Sequence, residues 1–206
     1  MRITDALDDV LATRGHVRIL RALVALSDGF GVSARDMARR AAVAHNRTSE
    51  VLSALTEMGL AQVQRAGRAD LYQLNRDHVI YPALDELFRH EATIQVELEK
   101  FLRRRLSKLP QVREAFIFGS VARGESGAGS DVDLALVVSA RGHTGAEQTE
   151  IDEIATEARR RFGSRLGVHV STQPLADRVE GRVGRDLWRR VASEGKRLLP
   201  VGSSRD

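Results

Sequence analysis

The sequence contains no cysteine, so disulfides and thiolate metal sites are excluded. Long apolar runs are missing too. The longest, Ala22–Leu26 and Leu134–Val138, fall far short of the ~20 residues a membrane-spanning helix needs. The opening residues Met1-Arg2-Ile3-Thr4-Asp5-Ala6-Leu7-Asp8-Asp9 carry acids where an export signal requires an apolar stretch. Together these absences lead us to expect a cytoplasmic protein with no membrane partner. Internal repeats and low-complexity tracts are also lacking. Lysine is scarce: the cations are almost all arginine, although the net charge is only +4. Guanidinium forks match phosphate oxygens in pairs, which favours nucleotide or nucleic-acid partners; a G/C-rich genome would produce the same bias.

What is present suffices for packed cores. Hydrophobic residues make up 42% of the 206 positions, enough for two small domains or one large one. Residues 3–27 show helical periodicity through Leu7, Val10, Leu11, Ile19, Leu20, Leu23 and Val24, with a break expected at Gly15. Asp28-Gly29-Phe30-Gly31 reads as a turn, and Ser33 with Asp36 forms a capping-box pattern that opens a helix through Ala41. A further helix is expected from His45 to Met58, closed by Gly59. Two strands, 61–65 and 71–74, flank a turn at Ala66-Gly67-Arg68-Ala69. An amphipathic helix then runs from Pro82 to Leu106, and its spacing suits either an interdomain linker or a dimer seam. Beyond it, strands are expected at 115–118, 131–138 and 168–170, with helices at 146–162 and 185–195. The fold class is therefore α/β, or α+β overall, divided as 1–79, a linker helix at 80–109, and 110–206.

Two short helices, a tight turn and a basic hairpin are the order of a winged helix-turn-helix. The second helix opens with His45, Asn46, Arg47, Thr48 and Ser49, polar residues placed where a recognition helix meets base edges and phosphates. Asparagine pairs with adenine and arginine with guanine, while Arg65 and Arg68 on the hairpin suit flanking phosphates. Residues 14–78 resemble the winged-helix domains of bacterial transcriptional regulators, which implies double-stranded DNA as a partner and a homodimer. The alternative is that the polar residues only cap a helix and the module docks protein.

The chemistry is concentrated in Phe118-Gly119-Ser120-Val121-Ala122-Arg123-Gly124-Glu125-Ser126-Gly127-Ala128-Gly129-Ser130-Asp131-Val132-Asp133-Leu134. A strand ends in Gly-Ser, a glycine-rich loop follows, and a second strand opens with two acids. Alternation puts Asp131 and Asp133 on one side of that strand. Two carboxylates about 5–6 Å apart repel by about 3 kcal/mol at an effective dielectric near 20, so the pair calls for a cation. Hard oxygen donors select Mg²⁺ (or Mn²⁺) together with substrate phosphates. Gly119, Ser120, Arg123 and Ser130, with the loop amides, suit a triphosphate.

The motif, Gly119-Ser120, ten residues, then Asp131-Val132-Asp133, resembles the DNA polymerase β-like nucleotidyltransferases, in particular their minimal antitoxin-type branch. That resemblance covers residues 110–197 and implies a mixed sheet with flanking helices. It also implies a metal-dependent transfer of a nucleoside monophosphate from ATP or another NTP to an acceptor, such as a hydroxyl on a partner toxin. Members of the superfamily usually carry a third acid on a later strand. Here that strand is Leu166–Ser171, and His169 takes the expected position, either as a general base or as a strand residue without a role. Asp177 and Glu180 are the other acids within reach in sequence. Two functional readings follow: a DNA-binding nucleotidyltransferase, or a transcriptional regulator whose degenerate transferase domain only binds or senses nucleotide.

Overall fold

In the computed structural model, which describes residues 4–125, 130–139, 145–180 and 184–199, the chain falls into two compact units, Met1–Ala92 and Thr93–Asp206. Each unit has its own core and a mixture of helix and strand.

The first unit begins with α1 (Ala6–Val10) and α2 (Arg14–Val24). The break between them lies before Thr13, whereas Gly15 sits inside the first turn of α2. Thr13 wins as the boundary because its hydroxyl caps the helix, accepting from the His16 N–H at 3.3 Å. A short strand β1 (Val32–Ser33), not expected from the sequence, leads into α3 (Ala34–Ala41). There the Ser33 hydroxyl accepts from the Asp36 N–H at 3.2 Å, as the capping pattern predicts. Helix α4 (His45–Glu57) is followed by Gly59 at φ 77°, the left-handed position that ends a helix. Strands β2 (Ala61–Ala66) and β3 (Ala69–Leu74) form a hairpin, with Gly67 at φ 62° as its first turn residue. The sheet is antiparallel in the order β1-β3-β2. Ile19, Leu20, Leu23, Met37, Val51, Leu52, Leu55 and Leu60 fill the core beneath it.

Helix α5 (Tyr81–Leu106) supplies residues to both cores. Leu84 and Phe88 belong to the first, and Leu98, Phe101, Leu102 and Leu106 to the second. Leu87 and Ile94, which share the apolar periodicity in sequence, are about half exposed at 50% and 52%. Leu87 lies beside the buried Phe88, and Ile94 falls between Phe88 and Leu98.

The second unit is a mixed sheet in the order β6-β5-β4-β7, where β4 is Val112–Phe118, β5 Val132–Val138, β6 Leu166–Ser171 and β7 Lys196–Arg197. Strands β5 and β6 are parallel; β4 runs antiparallel to β5 and β7. Period-2 alternation sorts the side chains onto two faces. Ala115, Ile117, Val132, Leu134, Leu136 and Val138 pack with α5 and with α7 (Gly145–Phe162). Phe116, Phe118, Ala135 and Val137 pack with Trp188 and Val191 of α9 (Arg185–Glu194). Two short helices, α6 (Gly119–Ala122) and α8 (Leu175–Glu180), complete the unit. No helix among the described residues is long and apolar enough to cross a membrane.

Candidate functional site

The site grows from the junction of β4, α6 and β5. Strand β4 is buried almost throughout and ends at Phe118; Gly119 then turns the chain into α6 at φ 74°. That conformation suits glycine, and the neighbouring carboxylate gives a second reason for it. A Cβ at Gly119 would lie 2.5 Å from Asp133 Oδ2. The backbone of the Gly-Ser turn is thus pressed against Asp133, which pairs across the sheet with Phe118. On its other side Asp133 meets β6, where a Cβ at Gly167 would lie 3.3 Å from Oδ1. Asp133 and Gly167 are direct partners in the parallel register. The carboxylate therefore sits in a slot walled by two glycine backbones.

Asp131 immediately precedes β5 and is exposed. It lines a cavity of about 520 Å³ with Ser130, Gln95, Arg159, Ser164 and Arg165, over an apolar floor of Leu98, Val121 and Val132. The Val132 N–H donates to Arg165 O at 2.8 Å, which brings the mouth of β5 beside the end of the α7–β6 connection. The Gln95 side chain donates to Val121 O at 3.1 Å, tying α6 to α5. Glu99, buried on α5, accepts from the same amide at 3.2 Å and pairs with Lys196 at 2.5 Å.

Ser120 lies in the first turn of α6, where amide groups have no intrahelical acceptor. Farther on, amides turn inward: Arg123 N–H donates to Gly119 O, Gly124 N–H to Val121 O, and Glu125 N–H to Ser120 O at 2.8 Å. Amide donors for a phosphate would thus come from the start of α6. Ser126, Gly127, Ala128 and Gly129, the rest of the expected glycine-rich loop, lie outside the described residues.

Arg123 bridges Glu125 at 2.7 Å and Glu194 of α9 at 2.6 Å. The hydrogen bond to Glu125, followed by that to Glu194, holds its guanidinium above its ordinary pKa. The Arg123 hydrogen bond likewise lowers the pKa of Glu194. Glu194 also accepts from Arg190 Nε at 3.2 Å. Arg190 reaches the slot: its Nη2 is 3.7 Å from the position a Gly119 Cβ would take, and its guanidinium lies 5.8 Å from the Phe118 ring centre. The sequence reading assigned no role to Arg190, Glu194 or Gly167. No motif marks α9, but a glycine inside an apolar strand is a signal of close approach, and Gly167 could have been found by it.

His169 is level with Ala135, two residues beyond the Asp133–Gly167 pair, and its ring packs on Phe118 at 5.7 Å. Asp177 and Glu180 are exposed on α8. Among the described residues no three His, Asp or Glu side chains cluster closely enough to hold a metal ion by themselves.

In the first unit, His45, Asn46 and Arg47 are exposed at the start of α4, and Ser49 is half-buried. Thr48 departs from this row. It is fully buried, its hydroxyl donating to Ala44 O at 3.1 Å, because helical periodicity turns position 48 onto the core face with Leu52 and Leu55. Thr48 is thus a core residue rather than a surface contact. Arg47 pairs with Glu50 at 2.8 Å; Arg65 stands 3.9 Å from Asp70, and Arg68 is exposed on the hairpin turn.

No curated protein matches the chain. Among solved structures, one described as a crystal structure of the toxin-antitoxin with AMP-PNP has 17% identity and a TM-score of 0.35, over 49% of this chain and 72% of that one. Another, described as the toxin-antitoxin MntA-HpeT mutant, has 16% identity and a TM-score of 0.34, over 51% of this chain and 72% of that one. Residues 97–176, from within α5 to within α8, match the family of nucleotidyltransferase domains.

Proposed function

We propose that the second unit transfers a nucleoside monophosphate from an NTP, ATP being the first to test, to a hydroxyl on a partner protein. The observation that carries this reading is the Asp133 slot: a carboxylate held against the Gly119 backbone where a glycine turn opens a helix. Asp131 borders a cavity of about 520 Å³, large enough for a nucleoside, whose floor of Leu98, Val121 and Val132 lies on the α5/α7 face and whose lining does not include Asp133. The donor set fits Mg²⁺ or Mn²⁺, which accept one or two carboxylates and complete their shell with water and phosphate oxygens. When bound, the ion would neutralise charge building on the α-phosphate and the departing pyrophosphate. Asp131 and Asp133 would hold it, and the Ser120 hydroxyl and first-turn amides of α6 would grip the phosphates. Arg190, tethered by Glu194, would add a fixed positive charge beside them. Arg123 ties the turn after α6 to α9, so its part is to hold the loop. The partner-protein acceptor rests on the resemblance of the Gly-Ser to Asp-Val-Asp motif to antitoxin-type transferases.

Labelled ATP with Mg²⁺ and the full chain, with a candidate acceptor added, tests this reading. Asp131→Ala and Asp133→Ala should each lower pyrophosphate release by at least a factor of about 100, as expected for loss of a metal ligand. Release that continues unchanged in both variants removes the assignment.

His169, on β6 where a third acid is expected and packed on Phe118, favours a second reading, in which the same slot binds nucleotide as a signal without turnover. Calorimetric binding of Mg²⁺–ATP with no pyrophosphate release would select it.

For the first unit we infer a winged helix-turn-helix that binds double-stranded DNA. The order α2, α3, α4, then the β2–β3 hairpin paired with β1, supports this, as do the exposed His45, Asn46 and Arg47. Ser49, Arg65 and Arg68 would reach flanking groups. Binding should fall steeply with salt, and Arg47→Ala should erase preference between sequences. A homodimer through α5 is part of the proposal, supported by the exposed Leu87. Replacing Leu87 with glutamate should leave the melting temperature nearly unchanged and reduce the sedimenting mass to that of one chain.

A further inference from the structure

Arg47 of the α4 row also belongs to a concentration of arginines at the start of α2. A cleft of about 330 Å³ is lined by Arg14, Arg18 and Arg47, together with Thr13, Gly15, Ala42 and Val43. No acid lines it. We propose that this cleft binds a backbone phosphate of double-stranded DNA, fixing the register in which α4 meets the bases. The proposal rests on the DNA-binding reading above and deepens it.

Three features make the cleft more than a chance meeting of long side chains. Arg18 is fixed in place, donating from Nη1 to Ala42 O at 3.1 Å across the α3–α4 turn. Ala42 itself is left-handed at φ 50°, an unusual state for alanine, and it is this turn that presents its carbonyl to Arg18. The stem of Arg47 lies along α2, its Cγ 3.9 Å from where a Gly15 Cβ would be. Gly15 thus leaves room for Arg47 to lean over the start of α2. The guanidinium of Arg14 has no hydrogen bond or ion pair among the described residues.

Local electrostatics agree. Burial lowers the His16 pKa, and the positive charge of Arg47, which pairs with Glu50, lowers it further. The start of α2 borders the cleft through Thr13, Arg14 and Gly15, and α4 contributes Arg47. Helix α4 begins after Ala44, which offers no side-chain cap, so its first amides are left to water or a ligand. A phosphodiester supplies what these groups lack: one negative charge and two acceptor oxygens for planar forks. A phosphate there needs no particular base, so the cleft positions the duplex and α4 reads it.

The test is duplex binding by full-length protein, followed by fluorescence anisotropy across a range of salt concentrations. Each phosphate contact contributes about 0.9 to the slope of log affinity against log salt. Arg14→Ala should reduce that slope measurably, and Arg14→Ala/Arg18→Ala should reduce it by about one, the share of a single phosphate. The ratio of affinities for two unrelated duplexes should stay unchanged in both. Because Arg18 also holds the α3–α4 turn, melting curves accompany the double variant; Arg14→Ala breaks no such contact and decides the matter alone. Equal slopes for the native chain and Arg14→Ala overturn the cleft and leave the DNA reading standing. If the native chain shows no salt-dependent duplex binding, both fall. A parallel titration with inorganic phosphate, read at the Gly15 amide by NMR, separates the sources. Saturation there by phosphate but not by duplex would make the cleft a free-anion site and overturn the proposal.

Discussion

The two units expose their key polar groups in opposite ways. On α4 the candidate contacts stand in solvent, held by little more than helix geometry and one ion pair, Arg47 to Glu50. In the second unit Asp133 is wedged between Gly119 and Gly167, with Arg190 and Glu194 behind it. A surface that reads a long, charged partner can tolerate mobile side chains, because the partner supplies the order. A site that must hold a small ion and a phosphate needs its carboxylate fixed in advance. The difference predicts where single methyl groups will matter: severely in the second unit, little on the face of α4.

The largest effect is expected from Gly119→Ala. The added Cβ would stand 2.5 Å from Asp133 Oδ2, at a φ of 74° that alanine adopts only with strain. Strain of this kind costs about 1–3 kcal/mol, so thermal or urea unfolding should show a loss of that order. Calorimetry should show Mg²⁺–ATP binding lost along with it. The comparison is sharpened by a double-mutant cycle: Asp133→Ala removes the obstructing carboxylate, so the Gly119→Ala/Asp133→Ala pair should cost less stability than the two changes added together. Strict additivity would mean that the glycine and the acid do not crowd one another.

Gly167→Ala should be milder. Its Cβ would meet Asp133 Oδ1 at 3.3 Å, with no positive φ to add strain. The carboxylate need shift only by tenths of an ångström, at a cost below about 1 kcal/mol, equivalent to about a fivefold change in an equilibrium constant. Nucleotide affinity should fall by that factor or less while the melting temperature hardly moves. A loss as large as that of Gly119→Ala would show that both walls of the slot are equally rigid.

Much of this was legible in the sequence, for physical reasons that also explain the gaps. Strong periodicity located α3, α4 and α5 within a residue or so, and the Ser33 and Gly59 caps marked their ends because capping is local chemistry. The apolar run of β5 was equally plain, whereas only the last four residues of β4 were read as strand, because Arg113 and Glu114 interrupt its apolar start. The two-residue strands β1 and β7 were not, since pairing with β3 and β4 creates them and no local pattern announces it. Helix α6 was hidden inside a glycine-rich stretch that reads as loop. The motif singled out Gly119, Asp131 and Asp133 in that order. It could not show that Arg190, far along the chain, would reach the same slot, because that depends on how α9 packs through Trp188 and Val191. Thr48 looked like its polar neighbours until helical phase turned it inward.

The smallest effect concerns His16, and it tests whether the first unit has any preorganised electrostatics at all. The side chain is buried, its Nδ1 is 2.8 Å from the Thr13 hydroxyl, and burial, then the charge of Arg47, lowers its pKa from the ordinary value near 6.5. The folded chain therefore resists protonating it, whereas the unfolded chain protonates at the ordinary value. Above that pH both states hold a neutral ring and the group contributes nothing to the pH dependence. As the pH falls below about 6.5 the unfolded state takes up the proton first, so the first unit should lose stability until the folded ring protonates too. Melting curves between neutral and mildly acid pH should show this slope in the native chain and a flatter one in His16→Gln, which keeps a polar group beside Thr13 but cannot titrate. Arg47→Ala should recover part of the lost stability at mildly acid pH, because it removes the smaller of the two causes and leaves burial in place. If the native chain and His16→Gln respond to acid identically, the start of α2 carries no electrostatic bias, and the first unit is as unconstrained there as it is along the exposed row of α4.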